Sequence, residues 1–192
     1  MKPKSLMLIA GAMAMFGMLS FAAFLWYEPP APPPPVLGNA PSFELIDENG
    51  QPFSSVALGE KLWVVDFFFT TCPGPCPRMS ANMKQLNQRF ADRKDVALLS
   101  ITVDPQGDSP DALLRYGQRM KADFSQWHFL TGSDDAIHQL SVSGFKIGDP
   151  EVLIRHSTKF VLVDKSGKIR GYFEGTDAKE IGELEETIKR LL

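Results

Sequence analysis

The sequence is poor in cysteine, in histidine and in net charge. Its 192 residues include two cysteines and three histidines, and the formal net charge at pH 7 is −3. Two cysteines are too few for a disulfide-dense mini-protein, and a charge so close to balance gives no electrostatic reason to expect nucleic acid or an anionic membrane surface as a partner. Because 44% of the residues are hydrophobic and 22% are charged, the composition also excludes a disordered chain or a collagen-like fibre.

A long hydrophobic run lies near the N-terminus. Residues 6–27 contain no charged side chain, Lys2 and Lys4 precede them, and Glu28 follows. Since about 20 apolar residues cross a bilayer core, we expect residues 1–28 to form an uncleaved transmembrane anchor. A cleaved signal peptide is the alternative, but this run is longer than the usual apolar segment of about 7–15 residues and has no A-x-A-like site at its end. The lysines predict a cytoplasmic N-terminus and an extracytoplasmic remainder, periplasmic in a bacterial inner membrane.

A proline-rich segment follows the predicted anchor. Residues 29–37 read PPAPPPPVL, which excludes a helix or a central strand and predicts a semi-rigid polyproline spacer. The folded domain is then expected over residues 38–192, which is enough chain to bury a full core.

The domain alternates between strand and helix patterns. Two near-continuous apolar runs, Leu62–Phe69 and Val96–Val103, predict buried strands, and the segment 43–50 predicts a strand that enters a hairpin turn. The other predicted elements are helices over 77–90, 110–120 and 178–192 and from 134 onward, a short strand over 127–130, and a hairpin over 159–173. This order predicts an α/β fold, a thioredoxin-like sandwich with an N-terminal β-hairpin extension.

Both cysteines lie in one short motif, Thr70-Thr-Cys-Pro-Gly-Pro-Cys-Pro77. The motif follows a predicted buried strand and leads into a helix, so the positive end of that helix should favour a thiolate at Cys72. A three-residue spacer lets Cys72 and Cys76 either form a disulfide or open around a metal ion. A purely structural disulfide is the simpler interpretation for an exported protein, but closing so small a loop would stabilise the fold weakly.

The histidines offer a third ligand. His128 lies within a predicted strand and His138 on a helix, where ordinary exposure explains both. His156 directly precedes the strand Phe160–Val163, and a thioredoxin-like fold brings the start of this strand beside the helix that bears the cysteines. His156 is therefore the candidate to complete a metal site with the two thiolates.

Four motifs in order make the domain resemble the Sco/SenC family of membrane-anchored copper proteins. They are T-x-C-P-x-x-C-P from Thr70, S-x-x-V-D-P from Ser100, W-x-F-L-T-G from Trp127, and H-S-T-x-F-V-L-V-D-x-x-G from His156. The resemblance covers the whole predicted domain.

The resemblance implies copper ligation by Cys72, Cys76 and His156. Thiolates suit Cu(I), and the added imidazole suits a site that also holds Cu(II). Many family members have an acidic residue before the histidine, whereas this chain has Arg155, which changes the net charge of the implied site.

The implied function is assembly of a respiratory enzyme. The chain would deliver copper to, or prepare, the binuclear copper centre of a respiratory cytochrome oxidase. Its partners would be the copper-centre subunit of that oxidase and a copper donor protein. It would act mainly as a metallochaperone, and Cys72 and Cys76 would also form a redox-active disulfide or dithiol.

The alternative function is that of an extracytoplasmic thiol-disulfide oxidoreductase, which would reduce cysteines of the oxidase subunit or of another exported protein. Asp66 favours it, because it lies within the buried strand in a V-D-F segment like that of thioredoxins, where a buried carboxylate manages protons for the cysteine pair. A hydrogen-bonded strand aspartate without that role is the competing interpretation. Segment 154–158 argues against a general reductase, because it lacks the proline that thioredoxins place opposite their cysteines.

Two further features have two interpretations each. Asp104, at the end of a predicted strand, could orient the cysteine loop or only begin a turn. Met79 and Met83 are four residues apart on the helix after Cys76, a spacing more typical of a core stripe than of metal ligands.

Overall fold

The computed structural model of the chain describes residues 32–148, 151 and 157–192, together with 13, 15–18, 20, 21, 24 and 26. Contacts within the chain divide it into two units, Met1–Pro32 and Pro33–Leu192. Among the described residues, no helix combines the length and the apolar character needed to cross a membrane. Most of the predicted anchor, residues 1–28, lies outside the described residues, so the anchor stays a prediction.

The second unit is built on a six-stranded sheet with the order β1-β8-β7-β4-β5-β6. Strands β4, β5 and β6 run parallel, while β7, β8 and β1 are antiparallel to their neighbours. A separate antiparallel pair, β2 and β3, forms the predicted hairpin. The strands are β1 Gly38–Asn39, β2 Glu44–Ile46, β3 Pro52–Ser54, β4 Leu62–Phe68, β5 Val96–Thr102, β6 Trp127–Leu130, β7 Lys159–Val163 and β8 Lys168–Glu174.

Four helices connect or follow these strands. They are α1 Cys76–Arg89, α2 Pro110–Met120, α3 Asp134–His138, which continues as a π-helical turn Gln139–Gly144, and α4 Ala178–Leu191. The predicted start of α2 is confirmed, because the Ser109 hydroxyl accepts a hydrogen bond from Ala112 N at 3.3 Å and Pro110 occupies the first helical position.

Both faces of the sheet are covered. All seven residues of β4 are buried, so its alternating side chains pack into two separate cores. Leu62, Val64 and Phe68 pack in one core with residues of α1, α2 and α4. Trp63, Val65 and Phe67 pack in the other with residues of α3 and the hairpin. The predicted thioredoxin-like α/β sandwich is therefore confirmed.

One strand has no counterpart in the sequence prediction. β1 has two residues and pairs with β8, where Gly38 faces Ile169 and Asn39 faces Lys168. Leu37 N extends the pairing by a hydrogen bond to Ile169 O at 2.8 Å. A pair this short has no periodicity of its own, and its position depends on residues about 130 positions further along the chain.

Candidate metal and redox site

The cysteine loop connects the carboxyl end of β4 to the start of α1. Cys72 N donates to Phe69 O at 3.3 Å, which closes a turn as the chain leaves the strand. Helix α1 then begins at Cys76 with no side-chain cap and no acidic residue in its first turn. The positive end of the helix dipole is therefore not neutralised by a nearby carboxylate of this helix.

The two cysteines are both thiols but differ in exposure. Cys72 is half-buried, whereas Cys76 is 1% exposed and packs in the core with Met79 and Met83. Burial raises the pKa of the Cys76 thiol, and a hydrogen bond with Cys72 raises it further. A molecule that approaches the loop therefore reaches Cys72 first. The interpretation of Met79 and Met83 as core residues is confirmed, since both are fully buried.

Asp66 lies in β4 on the face that packs against α1 and is fully buried. Its Oδ1 accepts a hydrogen bond from Ser100 Oγ at 2.6 Å, and Ser100 Oγ in turn accepts one from Trp127 Nε1 at 2.9 Å. Its Oδ2 has no hydrogen-bond partner among the described residues. Burial raises the pKa of Asp66 to about 7, and its negative charge in turn raises the pKa of Cys76. The two groups are therefore electrostatically coupled, because ionisation of one disfavours ionisation of the other.

A second buried carboxylate, Asp108, was missed in the sequence analysis. It is fully buried and accepts hydrogen bonds from Thr70 N at 3.0 Å, Thr70 Oγ1 at 2.5 Å and Thr102 Oγ1 at 2.6 Å. Thr70 lies two residues after the end of β4, and Thr102 is the last residue of β5, the parallel neighbour of β4. Two hydroxyl residues at one sheet edge are a sequence signal for a shared acceptor, but that signal does not distinguish Asp108 from Asp104 in the loop that follows β5.

Asp104 begins a turn and makes no described contact with the cysteine loop. Its carboxylate accepts a hydrogen bond from Gly107 N at 3.2 Å. A Cβ at Gly107 would lie 2.4 Å from that carboxylate, so a larger residue there would displace the Asp104 side chain. Of the two interpretations of Asp104, the structure supports the turn.

The two described histidines lie on different elements. His128 lies on β6, where its ring centroid is 5.1 Å from that of Phe53 in the hairpin. His138 ends α3, on the sheet face opposite α1. His156 lies outside the described residues. Within residues 32–148, 151 and 157–192, no three Cys, His, Asp or Glu side chains form a cluster that could hold a metal ion.

The chain just after His156 is tied to α1. Thr158 O accepts a hydrogen bond from Gly175 N at 2.8 Å, and Gly175 O accepts one from Asn82 Nδ2 of α1 at 2.7 Å. A Cβ at position 175 would lie 2.5 Å from Phe160 and 2.7 Å from Thr158 O, so only glycine fits there. This contact brings the start of β7 to the cysteine-bearing helix.

A protein-family model described as SCO1/SenC matches residues 36–192 of the chain. The chain belongs to the SCO1/SenC family. The match covers the complete sheet, the cysteine loop and His156, and it confirms the family identified from the four motifs.

Three solved structures show how far the similarity to known SCO1/SenC proteins extends. The SCO1/SenC family lipoprotein from Bacillus anthracis is 34% identical with a TM-score of 0.73, covering 80% of this chain and 95% of that one. BsSco, described as having a disulfide switch and as a member of the Sco family of cytochrome c oxidase assembly proteins, is 27% identical with a TM-score of 0.72, covering 83% and 98%. Yeast Sco1 with copper bound is 25% identical with a TM-score of 0.63, covering 81% and 90%.

Proposed function

We propose that this chain is a copper-binding protein of cytochrome c oxidase assembly, which delivers copper to the binuclear copper centre of the oxidase or prepares that centre. One observation carries the proposal. Two thiols of one short loop meet at the start of a helix that has no side-chain cap and no acidic residue in its first turn. Thiolates are the ligands that Cu(I) prefers, and the positive helix end favours their charge. The copper in yeast Sco1 and the oxidase-assembly role stated for BsSco support this function.

The proposed ligands are Cys72, Cys76 and His156. His156 is two residues before Thr158, and two residues of extended chain span at most about 7 Å. Because Thr158 is joined through Gly175 to α1, the chain can carry an imidazole from position 156 toward the cysteine loop. Bound copper would be the cargo that the protein passes to the oxidase subunit. The thiolates and the imidazole of this chain hold it and determine which oxidation state is favoured.

Thiol-disulfide exchange is a second candidate function, and Asp66 favours it. The half-buried Cys72 thiolate would attack a disulfide of the partner and form a mixed disulfide, releasing one partner thiolate. Cys76 would then attack Cys72 Sγ, which closes the Cys72–Cys76 disulfide and releases the second partner thiolate. The proton of the Cys76 thiol would pass to Asp66, whose pKa of about 7 suits a proton acceptor near neutral pH.

The proposed location is an extracytoplasmic membrane surface. Residues 1–28 would form the single transmembrane anchor with a cytoplasmic N-terminus, and residues 29–37 would form the spacer before the copper-binding domain 38–192. The charge-free run at 6–27 and the preceding lysines support this topology. A relative from Bacillus anthracis is described as a SCO1/SenC family lipoprotein.

The test is His156→Ala, compared with His138→Ala in full-length protein. His138 is the matched control because it lies on the sheet face opposite the cysteine helix. The variants replace the native chain in copper-limited cells of the source organism, and the copper content and activity of the oxidase are measured. Cu(I) affinity of the purified variants is measured by competition with a chelator. We expect His156→Ala to lower both copper affinity and oxidase assembly, because it removes one of three ligands.

The thiol-exchange function predicts a different pattern. His156→Ala would then support full oxidase assembly, while Cys72→Ser and Cys76→Ser would abolish assembly under either function. Full assembly with His156→Ala in copper-limited cells would overturn the copper-delivery proposal and leave thiol exchange as the better account.

A further inference from the structure

The buried Asp108 carboxylate fixes the residue from which the cysteine loop departs. Thr70, two positions before Cys72, donates to this carboxylate with both its backbone N–H and its hydroxyl, at 3.0 and 2.5 Å. Two bonds from one residue restrain both its main chain and its side chain. Thr70 is only partly buried, and its hydroxyl makes no other described hydrogen bond.

The same carboxylate is itself fixed to the sheet. Thr102 Oγ1, at the end of β5, donates to Asp108 Oδ2 at 2.6 Å. The end of β5 is joined to the end of β4, since Thr102 pairs with Phe68 and Val103 N donates to Phe68 O at 2.8 Å. Asp108 therefore connects the departing loop to a rigid part of the sheet.

We propose that Asp108 is a positioning residue for Cys72. By holding Thr70, it keeps Cys72 close to Cys76 and so favours closure of the Cys72–Cys76 disulfide. Restraining two reacting groups raises their effective concentration, and releasing one of them lowers it. This inference rests on the proposed use of the two cysteines as one redox and metal-binding pair.

The relevant equilibrium is exchange with glutathione. The two thiols of the reduced chain and one glutathione disulfide give the Cys72–Cys76 disulfide and two glutathione thiols, so two electrons pass from the chain to glutathione and the protons balance. The equilibrium constant of this reaction reports how well the loop holds the two sulfurs together. It is measured on the full chain in detergent, together with the free energy of unfolding in urea.

Thr70→Val and Thr102→Val form a matched pair of test variants. Each removes one hydroxyl that donates to Asp108 and keeps the size of the side chain. Thr102 Oγ1 also accepts from Asp104 N at 3.0 Å, so Thr102→Val should destabilise the fold at least as much as Thr70→Val. Thr70 alone leads to the cysteines, and Thr102→Val leaves both bonds from Thr70 to Asp108 available, so Thr70→Val should change the exchange constant more.

We expect Thr70→Val to lower the constant about fivefold, roughly the effect of one hydrogen bond. Asp108→Ala should lower it about tenfold or more, which for two electrons corresponds to about 30 mV in potential. Asp108→Asn should restore part of the difference, because its amide oxygen can still accept from Thr70 N. Thr102→Val should leave the constant within about twofold of the wild-type value.

Two results would overturn the inference. One is an exchange constant for Thr70→Val equal to that of the wild type, and the other is a change for Thr102→Val as large as that for Thr70→Val, which would indicate a general structural effect. If Asp108→Ala fails to fold, the comparison of Thr70→Val with Thr102→Val still tests the inference. Failure of the proposed function would instead appear in the wild type, as an absence of Cu(I) binding, while the exchange constants remained measurable.

Discussion

The two fully buried carboxylates near the cysteine loop, Asp66 and Asp108, differ in how their charge is stabilised. Asp108 accepts three hydrogen bonds, two of them from Thr70. Asp66 accepts one, from Ser100, and its Oδ2 has no partner among the described residues. Both side chains are removed from water to the same extent, so burial alone does not separate them. The two residues differ instead in the number of hydrogen-bond donors around each carboxylate.

This difference gives the two residues different uses. A carboxylate with several donors is suited to hold a loop in place, because each bond restrains a neighbour. A carboxylate with one donor keeps a proton more easily, and the pKa of Asp66 is accordingly raised to about 7. Thr70, where the loop departs from β4, is therefore bonded to Asp108, and the buried Cys76 is electrostatically coupled to Asp66, deeper in the same strand.

The largest effect that separates the two carboxylates should come from Asp66→Asn. Native Asp66 keeps its proton up to about pH 7, whereas the unfolded chain loses it near pH 4, so rising pH over that window lowers the stability of the wild type. The variant lacks this ionisation. We expect it to be roughly 2 to 4 kcal/mol more stable than the wild type at pH 8.

The measurement is urea unfolding of both reduced proteins between pH 5 and pH 8. The stability difference should grow with pH across this window, and Ser80→Ala, which removes no ionisable group, should show no such growth. A difference that is constant with pH would contradict the raised pKa of Asp66.

Asp108→Ala should change the free energy of unfolding in the opposite direction. It leaves three donors without their acceptor, two of them on Thr70, so we expect a loss of about 3 kcal/mol in the free energy of unfolding. Asp104→Ala is the matched control, because its carboxylate accepts only one described bond, in the same loop. Equal losses for Asp108→Ala and Asp104→Ala would remove the distinction between the two aspartates.

The smallest effect should come from Ser100→Ala. The variant removes the hydrogen bond to Asp66 and leaves Trp127 Nε1 without an acceptor, for a loss of about 1 to 2 kcal/mol. Because the Ser100 bond lowers the pKa of Asp66, its loss should extend the pH-dependent fall in stability above pH 7. Ser80→Ala, which breaks the buried pair with the Tyr116 hydroxyl, serves as the control. Ser80→Ala should lower the free energy of unfolding without changing the pH at which the pH-dependent loss of stability ends.

The sequence predicted the parts of the fold that depend on local patterns. The continuous apolar runs of β4 and β5 and the Ser109 cap of α2 were located within one or two residues of their observed bounds. β1 and the π-helical turn Gln139–Gly144 were not predicted, because distant pairing and packing determine them rather than a repeating pattern.

The residues of the candidate site show the same distinction between local pattern and distant packing. The proximity of Cys72 and Cys76 follows from their spacing, and the burial of Asp66 follows from its strand. Asp108 could not be distinguished from Asp104 by sequence, because the turn over residues 104–107 decides which carboxylate returns to the sheet. The role of His156 stays a prediction.

The most direct test of the copper-binding proposal is a Cu(I) titration of the full chain in its two redox forms. One sample is reduced to the Cys72 and Cys76 thiols, and the other is first oxidised to their disulfide. We predict about one equivalent of tightly bound Cu(I) in the thiol form and none in the disulfide form, because a disulfide withdraws both thiolate ligands. Equal copper binding by the two forms, or none by the thiol form, would contradict the proposal.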